Sequence, residues 1–261
     1  MKKRTFGLIS AIALMVCLAG CAQTAKIETV ETIEAGEPVP VEAEPQEEDA
    51  PTADASAGDE ALRSYSVAHV DGAPDWDAIS VLDIDNQQWL DPVDIAAHAQ
   101  LCYDDEAFYV RMWADEADIR AEYPADDLLA NTYEDSCLEF FLSPVPEDAR
   151  YLNFEFNPNC AVGAQIGTEK ANRTRLVRAD DVYEASSART ESGWEITYKI
   201  PFDFIRQLYP DFTAESGTVL RGNFYKCGNL TANKHYLSWS PTDSDTPNFH
   251  MPECFGELVL E

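Results

Sequence analysis

Glu139 stands between Cys137 and Phe141 in the run Cys137-Leu138-Glu139-Phe140-Phe141-Leu142, which is apolar on both faces if extended. A carboxylate on such a strand is expensive to bury unless it is paired. Two arrangements remove that cost: an arginine partner such as Arg111 or Arg221, or an aim at the hydroxyls of a ligand. Acid-base cleavage of a glycoside would need two positioned carboxylates. Residues 61–261 hold 36 acids, so the mere presence of a pair discriminates nothing. There is no nucleophile elbow, HExxH, P-loop or CxxC pair, and no enzyme is expected. Met112 with His69, His98 or His235 could ligate a haem, but no spacing favours it. Five cysteines fall in the same region: Cys102, Cys137, Cys160, Cys227 and Cys254. An exported protein permits disulfides, yet an odd count leaves at least one thiol, and their spacing offers zinc no paired ligands.

The elements that must position these groups read as strands. Period-two alternation predicts Tyr65–Val70, Ala96–Tyr103, Ala107–Trp113, Ser136–Ser143, Tyr151–Asn157, Gly193–Ile200, Leu220–Cys227 and Glu257–Leu260. Turn residues such as Asp71-Gly72, Asp104-Asp105 and Asn157-Pro158-Asn159 separate them. The helical stretch is short, Phe202 to Tyr209, starting just after Pro201. Many short strands with one small helix predict an all-β domain, an antiparallel β-sandwich. In the Tyr151 strand, Leu152, Phe154 and Phe156 face one way, and Tyr151, Asn153, Glu155 and Asn157 the other. Two long segments, Glu116–Tyr133 and Glu169–Tyr183, show no pattern and read as specificity loops.

The first residues read as an address. Lys2, Lys3 and Arg4 precede the apolar run Phe6 to Leu18, which is too short to span a bilayer but suits a signal peptide. Leu18-Ala19-Gly20-Cys21 resembles a bacterial lipobox, which implies cleavage after residue 20 and a lipid on Cys21. Residues 21–60 carry 12 acids against Lys26, four prolines and no aromatic, the composition of a disordered acidic linker. Residues 61–261 then form one domain, held outside the cytoplasm by lipid in the cell membrane or outer membrane. The whole chain has 18 basic and 48 acidic residues, a formal charge of −30. That balance excludes nucleic acid as a partner and favours neutral or cationic ligands over acidic polysaccharide.

Several motifs coincide in order. Asp71-Gly72 with Trp76 comes first, then Tyr103-Asp104-Asp105-Glu106 before Phe108-Tyr109-Val110. Tyr133-Glu134-Asp135-Ser136-Cys137-Leu138-Glu139 leads into the Tyr151 strand, followed by Trp194-Glu195 and Ile200-Pro201. Arg221-Gly222-Asn223-Phe224-Tyr225, Trp239-Ser240-Pro241 and the run Pro247 to Gly256 close the series. Together they resemble family 9 carbohydrate-binding modules, over essentially all of residues 65–261. The resemblance implies a β-sandwich, structural calcium, and a sugar ring clamped between two aromatics with polar side chains reading its hydroxyls. Carried over, it places Tyr133 and Trp239 at the clamp positions, with tyrosine where the family has tryptophan at 133. Glu139 matches the acid six positions on, and Asn153 and Tyr236 are polar neighbours. The implied function is non-catalytic binding of a neutral saccharide by a surface lipoprotein. The alternatives are a module docking a protein partner and a glycan-active enzyme. Calcium would need six to eight oxygens, with acid-rich turns at Asp83, Asp85, Asp104 and Asp105 as sources of carboxylate.

Overall fold

A computed structural model describes residues 28–33, 63–177 and 180–261. The signal segment, Cys21 and most of the acidic linker lie outside the described residues. The strands are β1 (Glu28–Ile33), β2 (Ser64–His69), β3 (Leu82–Asp83), β4 (Asn86–Gln87), β5 (Ala96–Tyr103) and β6 (Ala107–Asp115). They continue with β7 (Cys137–Ser143), β8 (Tyr151–Phe156), β9 (Val162–Glu169), β10 (Asn172–Val177) and β11 (Ser186–Arg189). After β12 (Gly193–Pro201) comes the helix α1 (Phe202–Leu208), then β13 (Val219–Gly228), β14 (His235–Ser238) and β15 (Gly256–Leu260).

The strands join in one hydrogen-bonded path, β1-β10-β9-β8-β7-β13-β15-β2-β5-β6-β12-β11, with β14, β3 and β4 attached beside it. The expectation of a strictly antiparallel sheet is corrected: β2 pairs in parallel with both β15 and β5, so the sheet is mixed. The reason is tertiary. β2 buries Tyr65 and Val67 between the C-terminal strand and β5, a placement fixed by core packing and not by any short turn. The sheet curls so that distant stretches share a core. Phe156 of β8 packs on Tyr198 of β12 at 4.4 Å between ring centroids, and Phe140 of β7 stacks on Phe224 of β13 at 4.5 Å. Every predicted strand is present within one or two residues at each end, and the helix begins at Phe202 with Pro201 as its N-cap.

Seven strands, β1, β3, β4, β9, β10, β11 and β14, fall outside the predicted set. β10 occupies part of the segment expected to be a loop, and in β9 Val162, Ala164 and Ile166 alternate with Gly163, Gln165 and Gly167, whose glycines weaken the strand signal. β1 lies within the acidic segment expected to be disordered, where it pairs antiparallel with β10. Four of its six residues, Thr29, Val30, Thr32 and Ile33, are β-branched and suit an edge strand despite the surrounding charge.

Candidate functional site

The strands β7, β8 and β13 have two buried faces. One gives the core residues Leu138, Phe140, Leu142, Phe154 and Phe224. The other gives a second cluster, with Cys137, Phe141, Tyr151, Tyr225 and Cys227, beneath Tyr236 and Phe249. On this second face the sheet floors a cleft of about 940 Å³. Glu139, Glu155 and Gln165 lie along its floor, and Tyr133, Trp89, Tyr236, Phe249 and His250 are among its walls.

Tyr133 sits in a single 3-10 turn, Thr132–Glu134, pinned from outside by Asn229 and Leu230, whose amides donate to the Tyr133 and Glu134 carbonyls at 3.1 Å each. Tyr133 is 37% exposed and lines the cleft. Trp89 is half-buried, 5.6 Å from Tyr236 and 5.5 Å from Phe249, and its indole N–H donates to the Ser244 carbonyl at 2.6 Å. Its backbone is left-handed, with φ 66°. For a bulky side chain that conformation costs about 1–3 kcal/mol and persists only where the surroundings enforce it. Gln88 supplies the enforcement: its side chain bonds both the carbonyl and the hydroxyl of Thr242.

Of the residues expected from the sequence, Tyr133, Glu139 and Tyr236 come together in the cleft. Trp239 does not. It is 4% exposed and packs edge-on against Phe224 within the main core. A Cβ at position 256 would lie 2.5 Å from its ring, so Gly256 is what admits the indole. The expected clamp position at Trp239 is therefore corrected to a core position, and Trp89 is the tryptophan that reaches the cleft. Nothing in the run Asn86-Gln87-Gln88-Trp89 signals this, because the loop is held by contacts with residues 236–244. Asn153 lies fully buried below the floor and donates to Glu155 at 2.8 Å.

Neither arginine expected for Glu139 pairs with it. Arg111 binds Glu195 at 2.8 Å, and Arg221 binds the Phe255 carbonyl. Glu139 instead accepts from the Cys227 thiol at 2.9 Å. Burial, reinforced by Cys227 and Glu155, pushes its carboxyl well above the usual range, and burial also raises Glu155. Glu155 sits directly across from Glu139 in the sheet and accepts from Thr132 at 3.2 Å.

Sequence reasoning missed the basic wall. Lys170, Arg173, Arg175 and His250 all line the cleft. Arg173 and Arg175 alternate along β10, a period-two signal hidden by their charge. Gly167 opposes Arg173 across the hairpin, where a Cβ would lie 2.6 Å from the Arg173 Cγ. Arg173 donates to Gln165 Oε1 at 2.6 Å and to His250 Nε2 at 2.9 Å. Arginine only donates, so Nε2 is unprotonated and Nδ1–H donates to the Tyr151 hydroxyl at 2.8 Å. Burial, with Arg173 beside it, holds the His250 pKa well below its ordinary value, consistent with that neutral ring.

In the acid-rich turns the carboxylates have protein partners. Asp83 pairs with His98 at 2.8 Å, and Asp85 with Arg63 at 2.7 Å. Asp104 accepts from the amides of Glu106 and Ala107 and from the Tyr109 hydroxyl. Among the described residues the metal-sized cluster is Cys137, Glu139 and Cys227, whose thiols are too soft for calcium. All five described cysteines are free thiols. A haem reading finds no support either, because Met112 is wholly buried in the core and His98 and His235 are bonded elsewhere.

No curated protein matches the chain. Among solved structures, a candidate carbohydrate-binding protein from Bacteroides uniformis is 28% identical with a TM-score of 0.65, over 77% of this chain and 100% of that one. A family 9 module from Caldicellulosiruptor kristjanssonii in complex with cellotriose is 14% identical with a TM-score of 0.54, covering 76% of this chain and 94% of its own. A family 9 module from the same organism in complex with glucose gives 16% identity and a TM-score of 0.54, over 76% of this chain and 96% of that one. The model of carbohydrate-binding family 9 matches residues 69–260, nearly the whole described domain, and the chain belongs to that family.

Proposed function

We propose that the cleft binds a saccharide without cleaving it. The observation that carries this reading is the pairing of two aromatics lining the cleft, the exposed Tyr133 and the half-buried Trp89, with a polar floor. A pyranose has an apolar C–H face that packs on an aromatic plane, while its rim needs hydrogen-bond partners. Asn229 Oδ1 is buried at the cleft without a partner and suits a sugar hydroxyl. Family membership and the cellotriose- and glucose-bound modules support the same class of ligand.

Non-catalysis is part of the proposal. Glu139 and Glu155 are cross-strand neighbours on one floor, each held by protein donors, and do not flank a space from opposite sides. The sequence favoured a neutral sugar because the chain is so acidic, but the cleft itself carries basic side chains. A surface lipoprotein tethered through Cys21 remains the proposed setting.

The test is calorimetry with glucose and cellotriose on the whole protein. Aromatic–sugar sites of this size yield dissociation constants on the order of micromolar to millimolar. Tyr133→Ala and Trp89→Ala should each weaken binding, and prolonged incubation should release no new reducing ends. Binding that survives both substitutions in folded protein would place the sugar elsewhere.

A further inference from the structure

Resting on the saccharide reading, we propose that the cleft prefers a saccharide bearing an anionic group, a carboxylate or a sulfate, held by Arg173 and Lys170. The chain carries 48 acids against 18 bases, yet this cleft gathers Lys170, Arg173 and Arg175 on one wall. Among the residues whose side chains are described, none of the three has a carboxylate within ion-pair distance. Their partners are neutral: Lys170 donates to the Pro247 carbonyl at 2.9 Å, and Arg175 to the Ala130 carbonyl at 2.9 Å. Arg173 donates to the Lys170 carbonyl, Gln165 and neutral His250. Elsewhere in this molecule basic side chains meet acids readily, as Arg63, Arg111, Arg120, Arg150 and Lys199 do.

The two acids of the cleft do not cancel the wall. Glu139 and Glu155 are buried in the floor and bonded to other groups, Glu139 to Cys227 and Glu155 to Thr132 and Asn153, with neither within ion-pair distance of Lys170 or Arg173. Burial raises both carboxyls, and Arg173 acts in the opposite direction. β1 sets Glu31 in register with Arg175 but sets Ile33 opposite Arg173, so Arg173 and Lys170 carry the proposal. A guanidinium presents a planar fork that matches a carboxylate or a sulfate, and a partly dry cleft strengthens the bond. Gly167 and His250 hold that fork in place. The local field thus opposes the field of the whole chain: the acidic surface slows an anionic ligand's approach while the cleft retains it.

The experiment compares matched sugars on the full protein by calorimetry: glucose with glucuronate, galactose with galacturonate, and glucose with glucose 6-sulfate, each at low salt and at about 0.5 M salt. Sodium acetate and sodium sulfate serve as sugar-free anions. The expected result is that at least one anionic sugar binds about tenfold tighter than its neutral match. That ratio should shrink with salt, fall toward one in Arg173→Gln, and recover in part in Arg173→Lys. Which pair shows the gain distinguishes carboxylate from sulfate. Equal or weaker binding of every anionic sugar, with the neutral sugars bound, overturns the preference and leaves the saccharide reading standing. Binding of neither kind overturns both. Acetate or sulfate binding as tightly as the anionic sugars overturns the assignment to a saccharide. The wild-type comparison needs no variant, so misfolding of Arg173→Gln does not obscure the outcome.

Discussion

Trp89 lines the cleft, whereas Trp239, expected there from the sequence, lies in the core. Trp239 follows an apolar strand and sits at a family motif, but its ring fills a core space that Gly256 leaves open. Trp239→Ala should therefore cost about 3–5 kcal/mol of stability as a core truncation. Urea unfolding measures it, and any loss of binding should track the fraction unfolded. Glu139 makes a second prediction. Its folded carboxyl titrates above the ordinary value of 4.5, so the stability that it permits is complete below about pH 4.5 and is lost as pH rises through the folded pKa. Glu139→Gln removes that loss. The melting temperature of the variant relative to wild type should climb as pH is raised from about 4.5 toward neutrality. A difference that stays flat with pH would show the carboxyl to be ionised as freely in the fold as outside it.

β13 shows how one strand serves two environments. Asn223, Tyr225 and Cys227 face the second cluster and the cleft, while Phe224 and Lys226 point to the opposite side. Lys226 is fully buried, bound to Glu116 at 3.2 Å and to His235 Nε2 at 2.7 Å. Glu116 also accepts from Ser136 at 2.9 Å and from the Trp194 indole at 3.2 Å. Lysine only donates, so His235 Nε2 is an acceptor, and burial beside Lys226 lowers that imidazole to about 4. Lys226→Met would strand the Glu116 carboxylate, and the expected cost is about 3–5 kcal/mol. The double variant Lys226→Met with Glu116→Leu should recover part of it, which a double-mutant cycle by denaturant unfolding measures. The β9–β10 hairpin lends itself to the same kind of reading. Its arginines occupy alternate positions as strand residues do, and only the glycine opposite one of them lets that side chain lie across the sheet.

At the scale of the molecule, the charge of −30 is a property of the surface and the N-terminal segment, and the cleft departs from it. The proposed anchor is tested by Cys21→Ala. The variant should lose the lipid mass from its N-terminal peptide and either leave the membrane fraction or remain unprocessed. Wild-type protein with an unmodified N-terminus cut elsewhere would exclude a lipid at Cys21. Calcium is tested by dialysis against a chelator. With Asp83, Asp85 and Asp104 already paired, the melting temperature should not change, whereas a fall restored by added calcium would reveal a site built from other oxygens.

Alternation along the chain was enough to place eight strands, the short helix and the two faces of β8, because side chains on a strand point to opposite sides wherever a core lies on one of them. It also marked Glu139, since a carboxylate on a doubly apolar strand has few stable surroundings. Tertiary structure decided the rest. The parallel placement of β2 rests on pairings between ends of the domain that no local pattern encodes. Trp89 enters the cleft because a distant loop bends its backbone into a left-handed turn, and Trp239 leaves it because Gly256 admits the ring. The basic wall arises where β10 folds back over β9, since net charge is a sum over residues while a ligand meets only the few that the fold brings within its reach.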